Sequence, residues 1–240
     1  MKLSATRARA IARKELREYR HNRQLVVTMS VFPLVFIITP AVQIFTQPAS
    51  AAGPLAHTQV LVYMLGIPAL VPATFASISV AGERQQGTLE PVLTTPIRRE
   101  EFLLGKALAA LVPAISVSYG VFGVFVAAIE LFAQPAVASA VLHGPELLAQ
   151  VLFTPLVAAL SIWIGIAISA RSSDPRVAAQ LSVLASLPSI VVTTLIATGK
   201  IHVTPGLALS LGAALLLLDA LGWRIVSPAF DRERLITGTR

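Results

Sequence analysis

Long stretches without a single charge alternate along this chain with short, densely polar clusters. From Gln24 to Gly82 there is no Asp, Glu, Lys or Arg, and further charge-free stretches cover 107–129, 147–170, 177–199 and 201–218. A helix needs about 20 mainly apolar residues to cross the hydrocarbon core of a bilayer. Each of the later stretches provides one such length, and the first is long enough for two. Its middle, TQPASAAGPLAHT (46–58), carries Pro48, Gly53 and Pro54, which favour a turn. The pattern therefore predicts six spans, at 24–46, 58–81, 103–129, 147–170, 177–198 and 205–224. That makes an all-α polytopic membrane protein in three parts: 1–23 ahead of the spans, a transmembrane region over 24–224 with a polar loop at 82–102, and a tail at 225–240.

Composition agrees. Hydrophobic residues make up 55% and charged residues 13%, with a mean hydropathy of +0.75; soluble domains carry roughly 25% charged residues. The chain has no cysteine, which excludes disulfides, thiolate catalysis and thiolate metal sites. His21, His57, His143 and His202 are too dispersed to form a short-spaced ligand pair. The basic N-terminal segment lacks the short apolar core and small-residue cleavage site of a signal peptide.

Charge placement orients the spans. With six crossings, every Lys and Arg except Lys200 falls on one face. The excess of Lys and Arg marks the cytoplasmic side, so both termini and the 82–102 loop are expected there. The same asymmetry accounts for the basic isoelectric point without invoking nucleic acid. Residues 3–23 place Leu3, Ala8, Ile11, Ala12, Leu16 and Tyr19 at helical spacing opposite a basic face. Such a helix lies in the headgroup plane against anionic membrane lipid, either as a topology anchor or as a lever.

The stretch AGERQQGTLEPVLTTPIRREEFLLGK (81–106) is the main polar island. A turn between helices needs only 2–8 residues, and this loop is longer and patterned. Glu83, Arg84, Leu89, Val92 and Leu93 suit a short amphipathic helix interrupted near Gly87, and Pro91 would bend or end it. TTP (94–96) reads as an extended break. RREEFLLGK then restarts a helix, with Glu100 and Glu101 at its positive end.

Within the spans, Ser161, Gly165 and Ser169 recur every four residues, and Ser116, Gly120 and Gly123 line much of one side of span three. Small residues allow close helix packing, within the subunit or across a dimer; lining a path is the other reading. Ser116, Ser118 and Tyr119 are candidates for that path, along with Asp219. Asp219 is a functional candidate by its place in a span, or else a local partner of Arg224. The apolar segment 131–145 is expected as an interfacial or re-entrant helix on the outer side. An integral-membrane enzyme would need acid, base or metal groups converging on one place, and no paired carboxylates accompany the histidines.

The island resembles the cytoplasmic loop of ATP-binding-cassette permeases of the type-2 (ABC-2) family, whose pattern runs Glu-Arg-x-x-Gly-Thr-Leu-Glu, then Thr-x-Pro, then Leu-Gly-Lys. ARKELREYRHNRQL (12–25) and FDRERLI (230–236) resemble the flanking segments of the same family. Gln85 stands where a third charged residue is frequent, so no charge-based role falls on that position.

The resemblance implies a coupling helix within 83–93 that fits a cleft in a separate ABC ATPase subunit. On it, Glu83 and Arg84 would pair with charges of the ATPase, Gly87 would allow the bend, and Leu89 and Leu93 would fill an apolar socket with Glu90 at its rim; Thr88 is counted among the same coupling residues. It also implies a second permease subunit, identical or paralogous, and export as the direction. Gly105-Lys106 is not part of a phosphate-binding loop, because Glu100 stands where the first glycine belongs and Ala107 follows the lysine. No cofactor is expected in this chain; ATP and Mg belong to the partner. The rival reading is a membrane scaffold or assembly factor that docks a cytoplasmic partner without transporting.

Overall fold

The computed structural model describes residues 4–21, 23–87, 98–142 and 144–230. Among them the regular structure is entirely helical. The helices are α1 (Ala5–His21), α2 (Arg23–Phe45), α3 (Ala52–Leu55), α4 (Gly66–Gln85), α5 (Arg99–Phe132), α6 (Pro135–Val141), α7 (Gly144–Arg171), α8 (Pro175–Ala197) and α9 (Pro205–Val226). Three short 3₁₀ segments accompany them, at Ala49–Ala51, Val60–Leu65 and Ser227–Phe230.

Among the described residues, five helical stretches are long and apolar enough to cross a membrane: Val60–Glu83, Glu100–Phe132, Gly144–Arg171, Pro175–Ala197 and Pro205–Val226. They coincide with five of the six spans read from the charge-free pattern. The remaining one, at 24–46, corresponds to α2, whose apolar part is described over Ser30–Phe45.

Local chemistry sets the helix ends. Asp174 caps α8, accepting from the Arg176 N–H at 2.7 Å, and Pro175 follows where its missing donor costs nothing. Thr204 and Pro205 repeat the arrangement at the start of α9. Gly199, at φ +71°, closes α8 in the left-handed conformation that glycine adopts without penalty.

The span 60–83 is the centre of the bundle. It packs against α2, α5, α7 and α8, while α9 lies outside on α7. The closest approach is between α4 and α7. A Cβ at Gly165 would stand 2.6 Å from the Ala73 carbonyl oxygen, and one turn on, the Ser169 hydroxyl accepts from the N–H groups of Val80 and Ala81, both at 3.0 Å. The Ser161, Gly165, Ser169 stripe is thus a packing face within the subunit. The Ser116, Gly120, Gly123 stripe differs, since Ser116 is exposed and nothing stands near either glycine's Cβ position.

At the end of the bundle remote from α1, α3 and α6 pack together, and α6 buries Val137, Ala140 and Val141. Within 131–145, α5 continues to Phe132, α6 follows at Pro135–Val141, and α7 begins at Gly144, while His143 lies outside the described residues. The buried Glu146, at the start of α7, accepts from the Leu61 N–H at 3.3 Å and ties α7 to the first turn of the central span.

Candidate functional site

The 82–102 loop leaves from the end of α4 and returns into α5, and α1 lies across both. Ala8, Ile11, Ala12, Glu15 and Tyr19 form the buried side of α1, at three- and four-residue spacing. That side rests on α5. The helices touch where α5 has Gly105, since a Cβ there would lie 2.6 Å from the Ile11 side chain and 3.0 Å from the Ala8 carbonyl. Tyr19 stacks at a tilt on Phe75 of α4, with ring centroids 5.6 Å apart.

Next to Gly105 is Lys106, which is 1% exposed. Its Nζ lies 2.9 Å from Glu15 Oε1 on α1, 3.0 Å from Glu83 Oε2 on α4, and donates to the Ser79 carbonyl at 2.9 Å. The Phe102 ring centroid is 4.9 Å away, a further favourable contact for a cation. Glu83 is itself buried, and its second oxygen takes a bond from Lys14 at 3.1 Å. One ammonium thus fastens three helices at the root of the loop. Burial pushes the Glu15 carboxyl above its ordinary range, and the Lys106 charge offsets this only in part. Burial, then the Glu15 charge, pushes the Tyr19 phenol well up.

A second carboxylate closes the other side. Glu101 is 1% exposed and accepts from the Ser4 N–H at 2.8 Å and the Arg98 N–H at 3.2 Å. These are the N-cap positions of α1 and α5, so a single negative charge sits at two positive helix ends. Arg7 approaches it at 3.5 Å. The expected placing of Glu101 at the start of the rising helix holds, and its grip on α1 is additional.

The residues read from sequence as contacts for a partner divide as follows. Glu83 points inward, to Lys106 and Lys14. Arg84 lies in α4. Gly87 has φ +68° with open space around it, so the chain leaves α4 there in a conformation suited to glycine. Thr88, Leu89, Glu90 and Leu93 lie outside the described residues.

The four residues suggested for a path are not brought together. Ser116 is exposed and bonds back to the Val112 carbonyl; Ser118 is fully buried; the Tyr119 hydroxyl donates to the Val151 carbonyl of α7 at 2.7 Å. Asp219 is on α9, which packs on α7. Nor does Asp219 pair with Arg224: its Oδ1 is buried without a hydrogen-bond partner, and among the described residues no ion pair joins the two. Positions three or four apart share a helix face. Five apart, at 3.6 residues per turn, point to different sides.

Lys106, Glu15, Lys14 and Gly105 escaped the sequence reading of the site. A signal was available: Lys106 is the one charge between Glu101 and Glu130, and Glu15 lies among basic residues on the side of α1 that also holds Ile11 and Tyr19. Among the described residues no group of three or more His, Asp or Glu could hold a metal ion.

An all-helical body with helices long and apolar enough to cross a membrane, fastened by a buried ion cluster where α1, α4 and α5 meet, is a polytopic membrane protein. Residues 9–219 match the model of the ABC-2 family transporter proteins, and the chain belongs to that family. No curated protein matches it.

Proposed function

We propose that this chain is the transmembrane half of an ATP-driven exporter, powered by a separate ABC ATPase that docks on the 82–102 loop. On this reading α2 is the first of six spans, both termini and the loop are cytoplasmic, and ATP and Mg are bound by the partner. A second permease subunit, identical or paralogous, completes the translocation unit, and the open Ser116, Gly120, Gly123 side of α5 has room for another helix at close range.

The observation that carries the proposal is the buried Lys106 cluster. A force applied to the loop reaches α4 through Glu83 and α5 directly, and the ammonium passes it to α1 through Glu15. Glu83 then acts as a positioning residue that holds the root of the loop, and contact with the ATPase falls to Arg84 and the Thr88, Leu89, Glu90 and Leu93 segment. Gly87 supplies the turn between root and contact. α1, fastened to the same cluster and basic on its free side, serves as a lever at the lipid surface.

The test uses the permease co-purified with its ATPase and reconstituted in vesicles. Gly87→Val, which strains a left-handed residue by roughly 1–2 kcal/mol, is expected to lower ATP-driven transport at least tenfold while the complex still assembles. Wild-type transport in Gly87→Val and in Leu89→Asp would sink the coupling assignment. A complex that assembles and hydrolyses ATP, yet moves nothing across a panel of amphiphiles, ions and glycans, would favour the scaffold reading.

A further inference from the structure

α8 and α9 are consecutive and joined only by residues 198–204, yet they barely touch. Each packs separately on α7, and α8 also on α4. α9 meets α7 most closely at Trp163. A Cβ at Gly222 would lie 2.9 Å from its indole, and Trp223 meets it edge-on with centroids 5.7 Å apart. That contact fastens the C-terminal part of α9 to α7. Between the two helices lies a cavity of about 710 Å³, well inside the roughly 300–1,000 Å³ range of small-molecule sites. The small Ala185 of α8 and Ala214 of α9 line its two walls.

The lining runs from Val203, ahead of α9, to Val226 at its end. At 1.5 Å per residue this is about the thickness of a bilayer core. Its polar side chains are Gln59, Ser189 and Thr193, and the end near α9's C-terminus, at Leu221, Ile225 and Val226, is wholly apolar.

At the other end the lining includes Val203 of the 198–204 link. Ile201 and Val203 turn inward onto Val62, Leu65 and Ile196, and the alternating Lys200 and His202 stay exposed. Lys200 is the sole Lys or Arg between Arg176 and Arg224. An exposed ammonium attracts anionic headgroups within about a Debye length, and Lys200 lies three residues before Val203, which lines that end of the slot.

We propose that this slot is a lipid site, which takes one acyl chain of an anionic lipid whose headgroup rests at Lys200. The chain runs inward between α8 and α9 towards Trp163. The site holds whether or not the protein transports, because it depends only on the divergence of the two helices and the charge at their link.

Intrinsic fluorescence tests it, since the protein has two tryptophans, one lining the slot and the other packed on it. The full chain is reconstituted in phosphatidylcholine vesicles with increasing phosphatidylglycerol brominated on the distal half of its acyl chains. Quenching is expected to saturate at a low fraction of brominated lipid and to be several-fold stronger than with brominated phosphatidylcholine. Lys200→Glu, on an exposed link, should abolish the headgroup preference. Ala214→Phe should remove the saturable component.

Quenching that merely tracks lipid fraction, equal for both headgroups and indifferent to Ala214→Phe, would mean annular lipid alone and overturn the site. Absence of quenching would mean that protein covers the slot, which overturns the site equally. Stronger quenching from bromines near the headgroup would place the headgroup at the opposite end and overturn the role of Lys200.

Discussion

The central span and α9 are almost indistinguishable in apolarity and opposite in environment. The most apolar 18 residues within Val60–Glu83 have a mean hydropathy of 1.8 and those within Pro205–Val226 one of 1.7, yet 89% of the first are buried and 0% of the second. Lipid tails are as apolar as leucine, so hydropathy cannot decide which helix goes to the centre. Side-chain size and hydroxyl content can. The central span offers Ala69, Ala73, Ala76, Ser77 and Ser79, all buried, with the three hydroxyls Thr74, Ser77 and Ser79 bonded back to their own helix. α9 offers Leu209, Leu216, Leu217 and Leu221, all exposed from the protein. Small residues gain from close backbone approach, whereas leucines lose nothing by facing lipid.

The largest expected effect is at the charged foot of the central span. Lys106→Ala would leave Glu15 and Glu83 buried together without their cation, a defect of about 3–5 kcal/mol when one partner of a buried pair is removed. Unfolding followed in mixed micelles should show this loss. Lys106→Met combined with Glu15→Gln and Glu83→Gln should recover most of the stability, because no uncompensated charge remains. Failure to recover would mean that the cluster holds the helices through something other than its charges.

Next comes Gly165→Val, which forces side-chain carbon against the Ala73 carbonyl. Overpacking of this kind costs about 1–3 kcal/mol. The smallest effect belongs to α9, where Leu217→Ala, at a residue 62% exposed, should stay within about 0.5 kcal/mol, as surface changes do. If Leu217→Ala proved as damaging as Gly165→Val, the contrast between inner and outer helix would fail. The absence of native cysteine permits a direct check on the same contrast. A lone cysteine at Leu217 should react with a membrane-soluble maleimide, and one at Ala73 should stay protected.

Five of the spans were legible in the sequence to within a few residues, because a bilayer imposes a length and excludes charge irrespective of tertiary contacts. The loop was legible as a special segment for a related reason: polar residues there exceed what a turn requires. The direction taken by Glu83 was not. A glutamate at a helix end looks the same whether it faces a partner or a buried lysine 23 positions further on. Asp219 illustrates the opposite error, in which proximity in sequence suggested a pair that helix geometry places on different sides.

Composition and charge order by themselves determined that this chain lives in a membrane and where five of its long apolar helices lie, since both follow from the cost of placing charge in hydrocarbon. Only the folded arrangement decided that Lys106, apparently a stray charge at the start of a span, joins α1, α4 and α5, and that α8 and α9 part around a slot. Those outcomes depend on which side chains meet across helices, and such meetings are set by close packing at Gly105, Gly165 and Gly222.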